Sequence, residues 1–181
     1  MRLKFWSALL PLLLVLATAF PAVAQDAERD ATRAKLATLL TRVGARSDVN
    51  TTFTQSTKNP YNFIGSMTSP LVNVQSLEIV ISVTKSNTID FRIYPHYKNQ
   101  YINLGRAKDP AGLMRTLLRL SDDNFLFWGA DDTADDVFTG FTITLESGFP
   151  EDAITAVMRS IKNTDKFVGQ LRPFYDGTVG Q

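Results

Sequence analysis

Leu77, Ile79, Ile81 and Val83 alternate with Glu78, Val80, Ser82 and Thr84, and after Lys85-Ser86-Asn87-Thr88 the alternation resumes with Ile89, Phe91 and Ile93. Asp90, Arg92 and Tyr94 fill the opposite positions of the return strand. Patterning with period two on both sides of a turn predicts an antiparallel hairpin with one buried and one wetter face. Val137 to Leu145 reads the same way, with Phe141, Ile143 and Leu145 on one face and Thr142 and Thr144 on the other; Phe125 to Trp128 is its expected partner strand across the acidic stretch from Ala130 to Asp136. Tyr61 to Met67 lies between Pro60 and Pro70 and reads as an edge strand, because proline is excluded from central strands. Ser47 to Asn59 is polar and threonine-rich and reads as a loop with at most one poor strand, and the segment with Tyr97, Tyr101 and Ile102 as another loop.

Helical spacing appears three times. Leu36, Leu39, Leu40 and Val43 recur at i, i+3, i+4 and i+7 in the stretch from Asp26 to about Ala45, with Gly44 as the stop. Asp109-Pro110 is an N-cap followed by proline at the first helical position, and Leu113, Met114, Leu117, Leu118 and Leu120 mark the helix behind it. Pro150, Glu151 and Asp152 open a third helix with the charge that its N-terminus favours; Ile154, Val157, Met158, Ile161, Val168 and Leu171 form its stripe, interrupted by Asp165. The expected fold class is α+β, a two-layer sandwich with an antiparallel sheet and helices on one face, in the order α-β-β-β-α-β-β-α. Ile79, Ile81, Phe91, Ile93, Phe141, Ile143 and Leu145 should then pack against Leu117, Ile154, Val157 and Ile161.

The start of the chain reads differently. Arg2 and Lys4 precede an apolar run from Trp6 to Phe20, and Ala22-Val23-Ala24 supplies small residues before Gln25. These are the parts of a secretory signal peptide over residues 1–24, with cleavage before Gln25. The run is broken by Pro11 and short for a spanning helix, so no stable membrane insertion is expected after cleavage, and the address is periplasmic or extracellular. Of 181 residues, 157 then remain, enough for one domain over 25–181 with an ordinary core. Removing Arg2 and Lys4 from the 19 basic residues leaves 17 against 18 acidic ones, and no Lys/Arg cluster is present, which argues against nucleic acid as a partner. The absence of cysteine removes thiol catalysis and thiolate-bound metals.

The run Leu117-Leu118-Arg119-Leu120, then Asn124-Phe125-Leu126-Phe127, an acidic turn, a strand and an acidic-headed final helix, resembles the YbjN-type, type III secretion chaperone-like family over roughly Asn62 to Tyr175. The resemblance implies an α+β sandwich without enzymatic activity, with protein binding and often dimerisation as the expected behaviour. The leader departs from that pattern, because secretion chaperones work in the cytosol, and the chaperone role does not carry over.

Candidate chemistry is sparse. His96 is the only histidine, so it alone could anchor a Ser-His-Asp or imidazole metal site, and a surface or hydrogen-bonded role fits it better. Asp131, Asp132, Asp135 and Asp136 offer oxygen ligands but lack EF-hand spacing, and acidic turns are common for their own sake. Glu146 and Glu151 show no spacing that identifies a glycosidase pair. Asn50-Thr51-Thr52 is a glycosylation sequon that matters only in a eukaryotic secretory route. No phosphate loop or nucleophile elbow is present, and no catalytic residue, metal or cofactor is assigned. If Phe125 and Phe127 point inward, Leu126 and Trp128 point outward, where Tyr94 joins them as a partner-contact patch. The reversed register, or an element covering the strand, buries that patch instead. The expected function is an exported protein-interaction module with another protein as partner and a homodimer as a further option. The alternative is a periplasmic small-ligand or glycan-binding protein, or an enzyme with no recognisable motif.

Overall fold

A computed structural model of the protein describes the backbone of residues 9–124 and 126–178, with side chains from 26 onward in that range. The side chains of the expected cleavage site, Ala22-Val23-Ala24, and the whole of Phe125 lie outside what is described. Helix α1 spans Leu9–Gly44 and buries Leu36, Leu39, Leu40 and Val43, the stripe its spacing predicts. At Gly44 a side chain would strike the Thr51 carbonyl, where the chain folds back and the Thr51 N–H donates to the Gly44 carbonyl at 2.9 Å.

Five strands follow: β1 (Phe53–Gln55), β2 (Asn62–Met67), β3 (Ser76–Val83), β4 (Thr88–Tyr97) and β5 (Gln100–Tyr101). Helix α2 (Pro110–Asp123) leads into β6 (Phe127–Ala130) and β7 (Val137–Thr144), and α3 (Glu151–Ser160) and α4 (Thr164–Asp176) close the chain. All pairings are antiparallel, in the order β1-β2-β3-β4-β7-β6, with β5 attached to β4. The fold is the expected α+β sandwich with two additions. A 3₁₀ turn, Ile161–Asn163, divides the final helix, and short β1 and β5 extend the sheet.

Two readings need correction. The segment expected at the sheet edge is β2, which lies inside β1; Pro60 and Pro70 flank the strand and take no place in it. Gly65 makes room for the Phe53 ring of β1, since a Cβ there would stand 2.7 Å from it. The loop after β4 is a hairpin, with Lys98 and Asn99 at φ 54° and 62°, the backbone of a two-residue type I′ turn.

Alternation decides the layers. Ile79, Ile81, Phe91 and Ile93 are 1% exposed or less, Ile143 and Leu145 are buried, and Phe141 packs half-buried at the margin. They join one core with Leu117, Ile154 and Ile161, and Val157 is packed against it. Asp109 caps α2 as expected, accepting from the Gly112 N–H at 2.8 Å. The stripe of α2 is narrower than its five apolar residues imply. Leu113, Leu117 and Leu120 enter the core, whereas Met114 and Leu118 face solvent. Asp165 does not break the last helix outward either: its carboxylate is buried and receives three consecutive backbone N–H groups, those of Val72, Asn73 and Val74.

Candidate functional site: the open sheet face

The register of β6 and β7 determines which aromatics reach the face that carries no helix. Thr139 of β7 stands opposite Ile93 on one side and Trp128 on the other. Cross-strand partners share a face, so Trp128 points with Ile93 into the core. It is 6% exposed and meets the Phe167 ring edge-on at 6.4 Å. The expected outward placement of Trp128 is therefore reversed. The cause lies in α2: the Ser121 hydroxyl accepts the Trp128 backbone N–H at 2.7 Å, which sets the strand against the helix with the indole inward. Leu126 precedes β6 and is half-buried, and Phe127 takes the outward position, 45% exposed. Its ring lies where a side chain at Gly140, its cross-strand partner, would stand.

Tyr94 does lie on the open face, opposite Glu78. It is the centre of a row that crosses four strands. The Tyr94 ring is 5.6 Å from Phe138 and 5.8 Å from Tyr101; Phe138 meets Phe127 edge-on at 5.8 Å, and Tyr101 meets His96 at 4.2 Å. The Arg92 guanidinium lies 4.7 Å above the Phe138 ring, a cation–π contact at the sheet surface. Where the row ends, the Tyr101 hydroxyl donates to Glu78 Oε2 at 3.0 Å. His96 Nε2 stands 3.9 Å from that same oxygen, too far for a hydrogen bond.

Burial, followed by the Glu78 charge and its hydrogen bond, pushes the Tyr101 phenol up to about 12 from an ordinary 10.0. The folded chain then holds a proton that the unfolded chain releases, so the contribution is intact below pH 10 and is lost as the pH rises from about 10 to about 12. Tyr101→Phe should weaken the alkaline loss of stability, visible as a smaller drop in urea midpoint between roughly pH 9 and pH 11.5. Equal drops in the variant and the parent chain would remove Tyr101 from that account.

The acidic turn is occupied with its own geometry. Asp131 Oδ1 accepts the N–H groups of Thr133 and Ala134 at 3.1 and 2.7 Å, Asp135 takes a left-handed φ of 59°, and Asp136 accepts from Asn103 Nδ2 at 2.9 Å. Among the described residues no three His, Cys, Asp or Glu side chains converge to hold a metal ion. Glu151 pairs with Arg42 on the helix side, and Glu146 is exposed. Two surface hollows, of about 370 Å³ beside Asp48 and Arg159 and about 360 Å³ beside Arg42 and Phe149, also lie on the helix side and share no residue with the aromatic row.

Phe127, read as pointing inward together with Phe125, faces outward instead, and Phe138, Tyr101 and Arg92 were not singled out as contact residues by sequence reasoning. Arg92 and Phe138 did carry a signal, because they occupy the polar-face parity of their strands; their adjacency depends on β4 lying beside β7. Comparison of the chain with protein-family models, with curated proteins and with solved structures returns no match.

Proposed function

We propose that the protein is an exported, non-enzymatic interaction module, mature from Gln25, that holds a partner protein on the open face of its sheet. One observation carries this reading: an aromatic row with Phe127 at its exposed end, and Ile64 37% exposed on the same face, lies where no helix covers the sheet. Apolar surface of this kind marks contact sites, and aromatic and arginine side chains are the usual anchors. The resemblance to the YbjN-type family points the same way. Export rests on the leader pattern. Its removal spares the contacts that tie α1 to the sheet, which begin with Arg29 on the Val83 carbonyl at 2.7 and 2.9 Å and Asp30 on the Tyr61 hydroxyl at 3.0 Å. Among the described residues no helix is long and apolar enough to cross a membrane.

The test places a photo-crosslinking residue at position 127 and, as a control, at Ser86 in the distant hairpin turn. Exported chain should begin at Gln25 by intact mass and should give one defined protein adduct from position 127 but none from position 86. A normally folded chain that yields no adduct from 127 would overturn the reading. The rings bordered by Glu78 and Arg92 also suit the faces of a sugar. Retention on an immobilised glycan that is lost in a Tyr94→Ala chain would move the assignment to a glycan-binding protein.

A further inference from the structure

Helices α2 and α4 lie side by side over the sheet and run in opposite directions. At one end the Asp109 N–H donates to the Phe174 carbonyl at 2.9 Å, and a side chain at Gly112 would strike the Phe174 ring. At the other end Ser121 holds Trp128, whose indole meets Phe167. The solvent side of this helix pair is both apolar and basic. Met114 is 50% exposed and Leu118 66%, two of the five large hydrophobic residues exposed among the described residues, and at i and i+4 they stand one above the other. Five exposed cations share that side: Lys108 ahead of α2, Arg115 and Arg119 on it, Lys162 in the 3₁₀ turn and Lys166 in α4. None of the five side chains makes a hydrogen bond or ion pair with a described residue, whereas Arg33, Arg42, Arg46, Lys98, Arg106 and Arg159 are each matched to a carboxylate. No run of basic residues announces this patch, because the fold draws it from separate segments of the chain.

We propose that this side of the helix layer docks on an anionic lipid surface, lying on the membrane and not through it. Charge complementarity selects that occupant. Cations left unmatched and spread over two helices gain most from a dense, laterally mobile layer of phosphates, which sets a counter-charge under each of them at once. Met114 and Leu118 supply the second half of an interfacial contact: side chains that pass below the headgroups bury apolar surface now covered by water. Arginine and lysine suit such a seat, since their apolar stems follow the inserted side chains while their charged heads stay level with the phosphates. Asp122 and Asp123, exposed in the last turn of α2, oppose the attraction. Five basic less two acidic side chains leave an excess of three positive charges, and the apolar anchors are only two, so the contact should be weak, reversible and sensitive to salt. The open face of the sheet lies on the other side of the molecule, and a chain seated in this way still presents its aromatic row.

Co-sedimentation of the exported chain with vesicles, its start checked by intact mass, reads the contact. Vesicles of phosphatidylglycerol and phosphatidylcholine in equal parts should retain the chain at low salt and release it at about 0.5 M salt, where charges are screened within a few ångströms. Vesicles of phosphatidylcholine alone should retain none. Arg115→Glu/Arg119→Glu should weaken retention about tenfold or more, and Leu118→Ser severalfold. Asp122→Asn/Asp123→Asn should tighten it. The same charge reversal placed elsewhere on the surface, Lys35→Glu/Lys58→Glu, should weaken it far less, which separates a local face from net charge. Phe127→Ala should leave it unchanged, which separates this surface from the open sheet face. All these sites are exposed, and circular dichroism checks that each variant folds. No retention on the anionic vesicles at low salt, equal retention on phosphatidylcholine alone, or equal losses from the two charge-reversed pairs would each overturn the proposal.

Discussion

Asp165→Ala should cost about 3 kcal/mol of stability, read as a lower urea midpoint with an unchanged slope. The carboxylate is 7% exposed and accepts the backbone N–H groups of Val72, Asn73 and Val74 at 2.9, 2.7 and 3.0 Å, together with Asn73 Nδ2 at 3.3 Å. It stands in the first turn of α4, where the helix end favours a negative charge. The segment it holds lies flat on the helix, since a side chain at Gly169, one turn further on, would reach the Asn73 amide oxygen at 2.9 Å. Alanine leaves three backbone donors without their acceptor, and burial makes each omission costly. Asp165→Asn should fare little better. Oδ1 accepts from Asn73 and Val74 and Oδ2 from Val72, so an amide must aim its NH₂ at a donor whichever way it turns. Faster hydrogen exchange confined to residues 72–74, with the global midpoint unmoved, would show instead that the segment opens on its own and that Asp165 does not support the whole fold.

The role of Asp165 also shows where the sequence stopped being legible. An acidic residue inside an apolar stripe reads as an interruption, because the groups that justify its burial lie more than ninety positions away. Alternation over eight to ten residues placed β3, β4 and β7 on their correct faces, and with them the core positions Ile79, Ile81, Phe91 and Ile93. Strands of three, two and four residues, β1, β5 and β6, are too short for a period of two to declare itself. Trp128 illustrates the consequence. Its face was undetermined by parity within Phe125 to Trp128 and is decided by the Ser121 hydroxyl on another element. The open face was half legible: Glu78, Arg92, Tyr94 and Phe138 all occupy the wetter parity of their strands, but their meeting depends on strand order and on the turn at Lys98-Asn99. In α2, five apolar residues in the helical stretch overstated the buried stripe, because no local pattern tells which apolar positions a neighbouring layer will cover. Met114 and Leu118 are the remainder.

Phe91→Ala should be the most damaging truncation within the sheet, at about 3–5 kcal/mol. Phe91 is fully buried in β4, between its cross-strand partners Ile81 of β3 and Phe141 of β7. Removing its ring opens a cavity in the middle of the row, with strands on both sides that hydrogen bonding holds in place and that cannot close over it. Phe141, half-buried at the margin, should cost less, about 1–2 kcal/mol, because part of its ring already meets water. Phe127→Ala, on the outer face and 45% exposed, should stay within about 1 kcal/mol of the parent chain. The order Phe91, Phe141, Phe127 is what a sheet covered on one side demands. Equal costs for Phe91 and Phe127 would mean that something packs on the outer face of the isolated folded chain. The aromatic row would then belong to a second core, and the proposed docking surface would be withdrawn.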